Sequence, residues 1–248
     1  MHEEKSLTIL DENGKIIPYE EFEAQFKEFY NEAKEAIEGE EKHNCLCEDS
    51  TLSTFTEPET QINSEDVLNT FSFIDRTLYL TTEITHEHAI AFSDVIRFWN
   101  YIDRLDNIPE DERIPIKIYI DTPGGDLDAT FSIIDSIKLS KTPVWTITIG
   151  SGFSGGFFIG IVGDKRIGYP NSSYLFHEGS CQSGGDAHKY LQFGKFYETR
   201  LSYLKNIVLD NTKITSDEYK KHRKDDLYLD ANTAVKYGVI DEIATELI

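Results

Sequence analysis

The chain has 248 residues, 28% of them charged and 39% hydrophobic, and carries a net charge of −21 at neutral pH. These totals fit a soluble globular protein of one large domain, or one domain with an appendage. So large an excess of acid argues against nucleic acid or an anionic membrane surface as partner, and no apolar run approaches the ~20 residues of a membrane span.

The acid is unevenly placed. Residues 1–70 hold 19 Asp/Glu against 5 Lys/Arg, a net of −14, which leaves −7 for the other 178 residues. The chain therefore reads as an acidic head added to a more ordinary domain. The first ten residues lack the basic start and apolar core of a signal peptide, so no leader is expected. Cys45, Cys47 and Cys181 are too few for a disulfide framework, and Cys45-Leu46-Cys47 lacks the C-x-x-C spacing of a zinc or redox site. They read as free thiols in a reducing, cytoplasmic compartment.

In chain order, Leu7–Leu10 and Ile16–Tyr19 flank an Asn13-Gly14 pair, which predicts a small hairpin. Phe22, Phe26, Phe29, Ala33 and Ile37 recur at helical spacing between acids, which predicts an amphipathic helix ending near Gly39. A stretch rich in Ser, Thr, Glu, Asn and Pro follows without period and reads as a linker. The expected organisation is an acidic hairpin and helix over 1–40, a linker over 41–70 and a main domain over 71–248. In the main domain, Thr77–Leu80 predicts a strand. Ala89–Leu105 predicts a helix, with Ile90, Val95, Ile96, Trp99 and Ile102 among its apolar positions. Pro115–Ile120 is a second strand, followed by the sharp turn Thr122-Pro123-Gly124-Gly125-Asp126. A helix over Ala129–Leu139 leads to a third strand, Pro143–Gly150. A small-residue elbow comes next, Ser151-Gly152-Phe153-Ser154-Gly155-Gly156, and then an apolar helix from Phe157. A strand at Ser173–Phe176, a long helix from about Asp186 to Leu209, a helix around Asn232–Tyr237 and a short closing strand complete the pattern. Alternating strands and helices predict an α/β domain.

The elbow carries the chemistry. Ser154 stands where a strand hands over to a helix N-terminus, with glycines that let the backbone turn and expose the hydroxyl. Unpaired N–H groups and the helix dipole there favour developing negative charge, which suits a serine nucleophile. A plain Gly/Ser turn is the alternative. A nucleophile needs a base. His188 and His222 lie among polar residues and read as surface, whereas His177 ends an apolar strand and is the candidate base. For the orienting acid, Asp225 and Asp226 both precede Leu227-Tyr228-Leu229. The order Ser, His, Asp is not the Ser, Asp, His of an α/β-hydrolase. The Pro123-Gly124-Gly125-Asp126 turn lacks the string of a P-loop, and its backbone N–H groups are candidate oxyanion donors.

Together, Ile118–Gly125, the Ser154 elbow, Tyr174-Leu175-Phe176-His177, Lys224–Leu229 and Ala234–Asp241 resemble the proteolytic subunits of the Clp protease, the ClpP family, over about Phe71 to Ile248. The resemblance implies the ClpP/crotonase superhelix of β-β-α units. It implies Ser154 as nucleophile, His177 as base, Asp226 as orienting acid, and Gly125 and Gly155 as the oxyanion hole. It implies a serine endopeptidase acting on unfolded or delivered polypeptides, without cofactor or metal. ATP would be used by an AAA+ unfoldase partner. The long helix from Asp186 becomes the handle that joins two rings of subunits. A viral capsid-maturation protease, a crotonase-type acyl-CoA enzyme and a silent structural ring subunit are the alternatives. The triad disfavours the last two. Asp225 replaces an Arg that helps to bond ring to ring. Lys117 replaces one of the paired aromatics of the ATPase-docking pocket, whose other member is Tyr119. The handle loop, Gly179–Gly185, is unusually rich in glycine.

Overall fold

The computed structural model describes residues 9–10, 16–17, 72, 75–180, 185–223 and 225–248. The chain divides into two compact units, Met1–Ile74 and Asp75–Ile248. In the first, β1 (Ile9–Leu10) pairs antiparallel with β2 (Ile16–Ile17), as expected around Asn13-Gly14. The helix expected from Phe22 to Ile37, the 41–70 linker, the three cysteines and most of the handle loop lie outside the described residues.

The second unit runs β3 (Thr77–Leu80), α1 (His86–Leu105), β4 (Ile116–Thr122), α2 (Leu127–Leu139), β5 (Val144–Phe153), α3 (Gly155–Gly160), β6 (Lys165–Gly168), β7 (Ser173–Phe176), α4 (Ala187–Asn211), α5 (Ser216–His222), β8 (Leu227–Asp230), α6 (Ala231–Tyr237) and β9 (Glu242–Ile243). Its seven strands form one sheet in the order β3-β4-β5-β6-β9, and β7 pairs with both β5 and β8. The β7–β8 pair is antiparallel and the other pairs are parallel. This is the α/β architecture the sequence predicts.

Alternation along the strands sets the layers, because successive side chains point to opposite faces. Ile116, Ile118 and Ile120 of β4 are fully buried, and their register partners on β5 are Val144, Thr146 and Thr148. The two short threonines let α3 lie close on this face, and Thr146 Oγ1 donates to the Gly160 carbonyl at 2.7 Å. The other face holds Tyr119, Ile147 and Ile167, with Trp145, Ile149, Tyr169 and Ala244 packed against them.

α1 starts three residues before its expected start because Thr85 caps it. The Thr85 side chain accepts the His88 N–H, and the His88 ring accepts the Thr85 N–H. Its buried stripe is Ala89, Phe92, Ile96, Trp99 and Asp103. Ile90, expected among the core positions, is 64% exposed, because it stands one residue round the helix from Ala89 and off the stripe. Asp103 is tolerated in the core by a two-pronged pair with Arg76, at 2.7 and 2.8 Å. Thr142 Oγ1 also donates to it at 2.6 Å, and the Arg76 guanidinium lies 4.3 Å over the Trp99 ring.

Three elements carry no expectation from the sequence, β6, α5 and β8. β6 reads Lys-Arg-Ile-Gly and has no apolar alternation. Its charges are answered by partners far along the chain: Arg166 by Asp241 and Lys165 by Glu242.

Candidate active site

β5 does not end at Gly150 as expected. It continues to Phe153, because Ser151, Gly152 and Phe153 pair with Ser173, Tyr174 and Leu175 of β7. The turn is thereby confined to Ser154, whose φ of 53° and ψ of −115° lie outside the usual range of a residue with a β-carbon. Such a conformation costs about 1–3 kcal/mol and persists only where the surroundings impose it. Here the Ser154 N–H donates to the Leu175 carbonyl at 2.9 Å, and the Ser154 carbonyl accepts from Phe157 and Phe158. The serine is thus held from β7 on one side and from α3 on the other.

His177 follows β7 directly. Phe176, the residue before it, is fully buried among Phe157, Phe158 and Tyr219, with ring centroids 5.1 to 6.1 Å away. Burying a phenylalanine is worth about 1.5–3 kcal/mol, so the strand end that presents His177 is firmly anchored. Burial also pushes the Tyr219 phenol up, with the Glu178 carboxylate adding to it. Antiparallel pairing sets Phe176 opposite Leu227. One step further along both strands, His177 stands opposite Asp226. His177 Nδ1 lies 3.6 Å from Asp226 Oδ1, ion-pair range and longer than a formed hydrogen bond. Nε2 of the same ring is buried and has no hydrogen-bond partner among the described residues. The second Asp226 oxygen accepts the Tyr228 hydroxyl at 3.3 Å, and the Tyr228 ring meets Phe153 edge to face. Asp225 is engaged differently: its N–H donates to the His222 carbonyl in the turn leaving α5.

The Gly124-Gly125 turn is clamped by Ile84. The Ile84 N–H donates to the Gly124 carbonyl at 2.8 Å, and the Asp126 N–H donates to the Ile84 carbonyl at 2.9 Å. The Gly125 N–H takes no part in that bridge. A β-carbon on Gly125 would meet Ile84 backbone atoms at 2.3 and 2.5 Å, so only glycine fits. Gly124 has a φ of +98°, and a β-carbon there would lie 2.6 Å from Ser154 Cβ and 2.9 Å from the Gly155 nitrogen. One placed on Gly155 would lie 3.6 Å from the Gly125 nitrogen. The two glycine turns, thirty residues apart in the chain, therefore meet beside Ser154.

Of the histidines set aside in the sequence, His188 is exposed and donates its backbone N–H to Asp186 at the start of α4. His222 ends α5. Sequence reasoning missed Ile84 and Tyr228. Ile84 gives no local signal, since an isoleucine in a loop looks like any other. Tyr228 reads as one residue of a short apolar run until β8 is paired.

A family model for the Clp protease matches residues 63–247. The chain belongs to the Clp protease family. It is 31% identical to ATP-dependent Clp protease proteolytic subunit 2 of Treponema denticola over 193 residues, 77% of this chain and 92% of that one. It is 34% identical to the protein of the same name from Treponema pallidum over 131 residues, 52% of this chain and 66% of that one. The ATP-dependent Clp protease proteolytic subunit of Streptococcus mutans is 31% identical over 174 residues, 68% and 84% of the two chains. Within this Clp protease chain, Lys117 pairs with Asp75 at 2.8 Å, and Tyr119 stacks on Tyr79 with centroids 5.4 Å apart. Burial pushes the Tyr119 phenol up to about 12, helped by Tyr169, Tyr79 and Asp75.

Proposed function

We propose that this Clp protease chain is a serine endopeptidase, with Ser154 as nucleophile, His177 as base and Asp226 as orienting acid. Ser154 Oγ attacks the peptide carbonyl carbon and passes its proton to His177 Nε2. Negative charge on the carbonyl oxygen is met by the N–H groups of Gly125 and Gly155. The tetrahedral adduct collapses, the amine leaves with the proton from His177, and an acyl ester remains on Ser154. Water, deprotonated by the same imidazole, then releases the acid. Asp226 keeps the proton on Nδ1 so that Nε2 stays free to accept.

The observation that carries this reading is the His177 ring. One nitrogen faces a carboxylate and the other is buried without a hydrogen-bond partner among the described residues, at the end of a strand hydrogen-bonded to Ser154. The 3.6 Å separation is of the loose kind that tightens when substrate binds. No cofactor enters the scheme. We further propose a cytoplasmic homo-oligomeric ring that receives polypeptide from an AAA+ unfoldase, which alone would use ATP.

A fluorophosphonate tests the reading. It is expected to label Ser154 and no other serine, as read by mass spectrometry of the labelled peptide. His177→Ala is expected to slow both labelling and peptide hydrolysis by about 10⁴-fold or more, because the triad acts as a unit. Label on another serine, or none on assembled protein, removes the assignment.

A further inference from the structure

Within a few residues β5 changes neighbour on one side and register on the other. From Trp145 to Thr148 it lies between β4 and β6. From Ser151 onward it lies beside β7 in place of β6. On the β4 side the register slips at the same point: Ile120 faces Thr148, yet Thr122 faces Gly152. β4 advances two residues while β5 advances four, an interruption of the bulge type. Ile149-Gly150 is therefore a seam, and beyond it the strand delivers Ser154. A strand that loses its ladder on both sides can tilt there.

One side chain spans the seam. Asp121, the β4 residue at the slip, accepts the Ser151 N–H on Oδ1 at 2.7 Å, the short bond that a charged acceptor makes. The bond needs a glycine at 150 to stay in place: a β-carbon there would sit 2.4 Å from Oδ1 and 2.6 Å from Cγ of Asp121, so the carboxylate would have to move. Three residues beyond Asp121 the chain reaches Gly124, and three beyond Ser151 it reaches Ser154. The bond thus ties the arm carrying the glycine turn to the arm carrying the serine.

We infer that Asp121 is a positioning residue for the elbow: its carboxylate closes the β4–β5 slip and sets where Ser154 stands against the two glycine N–H groups. It touches neither substrate nor reacting atoms, and its catalytic consequence rests on the serine-peptidase reading above. Asp121→Asn keeps an oxygen acceptor for the Ser151 N–H, whereas Asp121→Ala removes it. Gly150→Ala drives the carboxylate away from the other side. Both of the last two break one bond, so their effects should not add.

The test uses the full-length assembled chain and measures the rate of fluorophosphonate labelling of Ser154, with kcat and KM for a peptide. Asp121→Ala and Gly150→Ala are each expected to lower labelling and kcat by about ten- to a hundredfold, the scale of a small misplacement, with KM nearly unchanged. The double variant should be no slower than the slower single one, and Asp121→Asn should stay near wild type. A wild-type rate in Asp121→Ala, an Asp121→Asn as slow as Asp121→Ala, or losses that multiply in the double variant would overturn the inference. Should Asp121→Ala not fold, Gly150→Ala and Asp121→Asn decide by the same criteria. Amide hydrogen exchange around Ser151 separates the two failures. If wild-type Ser154 takes no label, the peptidase reading falls and exchange alone judges the latch. Faster exchange in Asp121→Ala but not in Asp121→Asn keeps it, and equal exchange removes it.

Discussion

The two adjacent acids before β8 differ in what the ladder does with them. The register that sets Phe176 opposite Leu227 sets His177 opposite Asp226, while Asp225 belongs to the turn from α5. Asp226→Asn should therefore lower kcat by about 10⁴-fold, since an amide at this place stabilises the wrong imidazole tautomer. Asp225→Asn should leave kcat within a few-fold. Steady-state peptide hydrolysis by the two variants decides, and a larger loss in Asp225→Asn would mean that the register is off by one. Neither change should move the unfolding midpoint much, because both acids are exposed.

Between elements, charge pairs tie strands that the chain order keeps apart. Arg166 on β6 reaches Asp241, just before β9, through both its backbone N–H and its guanidinium. Burial alone would raise the Asp241 carboxyl, yet the Arg166 hydrogen bonds and charge outweigh it and hold the group below the usual carboxylate value. The folded value lies below the unfolded one, so the pair stabilises the protein above the unfolded value. That contribution is lost as pH falls through the folded one. Asp241→Asn should flatten the acid limb of a stability-against-pH curve below about pH 4. The effect at neutral pH should be about 1 kcal/mol or less, because the carboxylate is partly exposed. A limb as steep as wild type would refute the linkage. The buried Arg76–Asp103 pair behaves otherwise. Asp103→Ala leaves the buried Arg76 guanidinium without a counter-charge, keeping only the Ile114 carbonyl and the Trp99 ring, and urea unfolding should show a loss of about 3–5 kcal/mol. A loss under about 1 kcal/mol would show the pair to be dispensable.

At the scale of the molecule, α4 buries only Leu204 and Val208 along its 25 residues. Tyr190, Leu191, Phe196 and Tyr203 remain more than half exposed, and large apolar side chains grouped on one exposed helix commonly mark an interface. Head-to-tail packing that closes into a ring is the simplest cover. Light scattering at micromolar concentration is expected to find a ring, and raised salt is expected to separate joined rings, since Asp225 stands where the resemblance expects an arginine. A monomer would refute the ring, and a salt-resistant particle of two rings would refute the weak junction.

What the sequence determined by itself is whatever is encoded locally. The pairing of β1 with β2, the strand–helix alternation, the serine at a strand-to-helix handover and the histidine after Tyr174-Leu175-Phe176 all rest on turn chemistry and periodicity within a dozen residues. Tertiary structure decided the rest. β6 forms because partners across the sheet and 75 residues along the chain answer its charges, and β5 runs on to Phe153 because β7 offers a ladder there. Ile84 becomes the clamp on the glycine turn only when β3 and β4 lie side by side. The choice between Asp225 and Asp226 likewise waits on the β7–β8 register. Register is a property of two strands at once, and no window of one strand contains it.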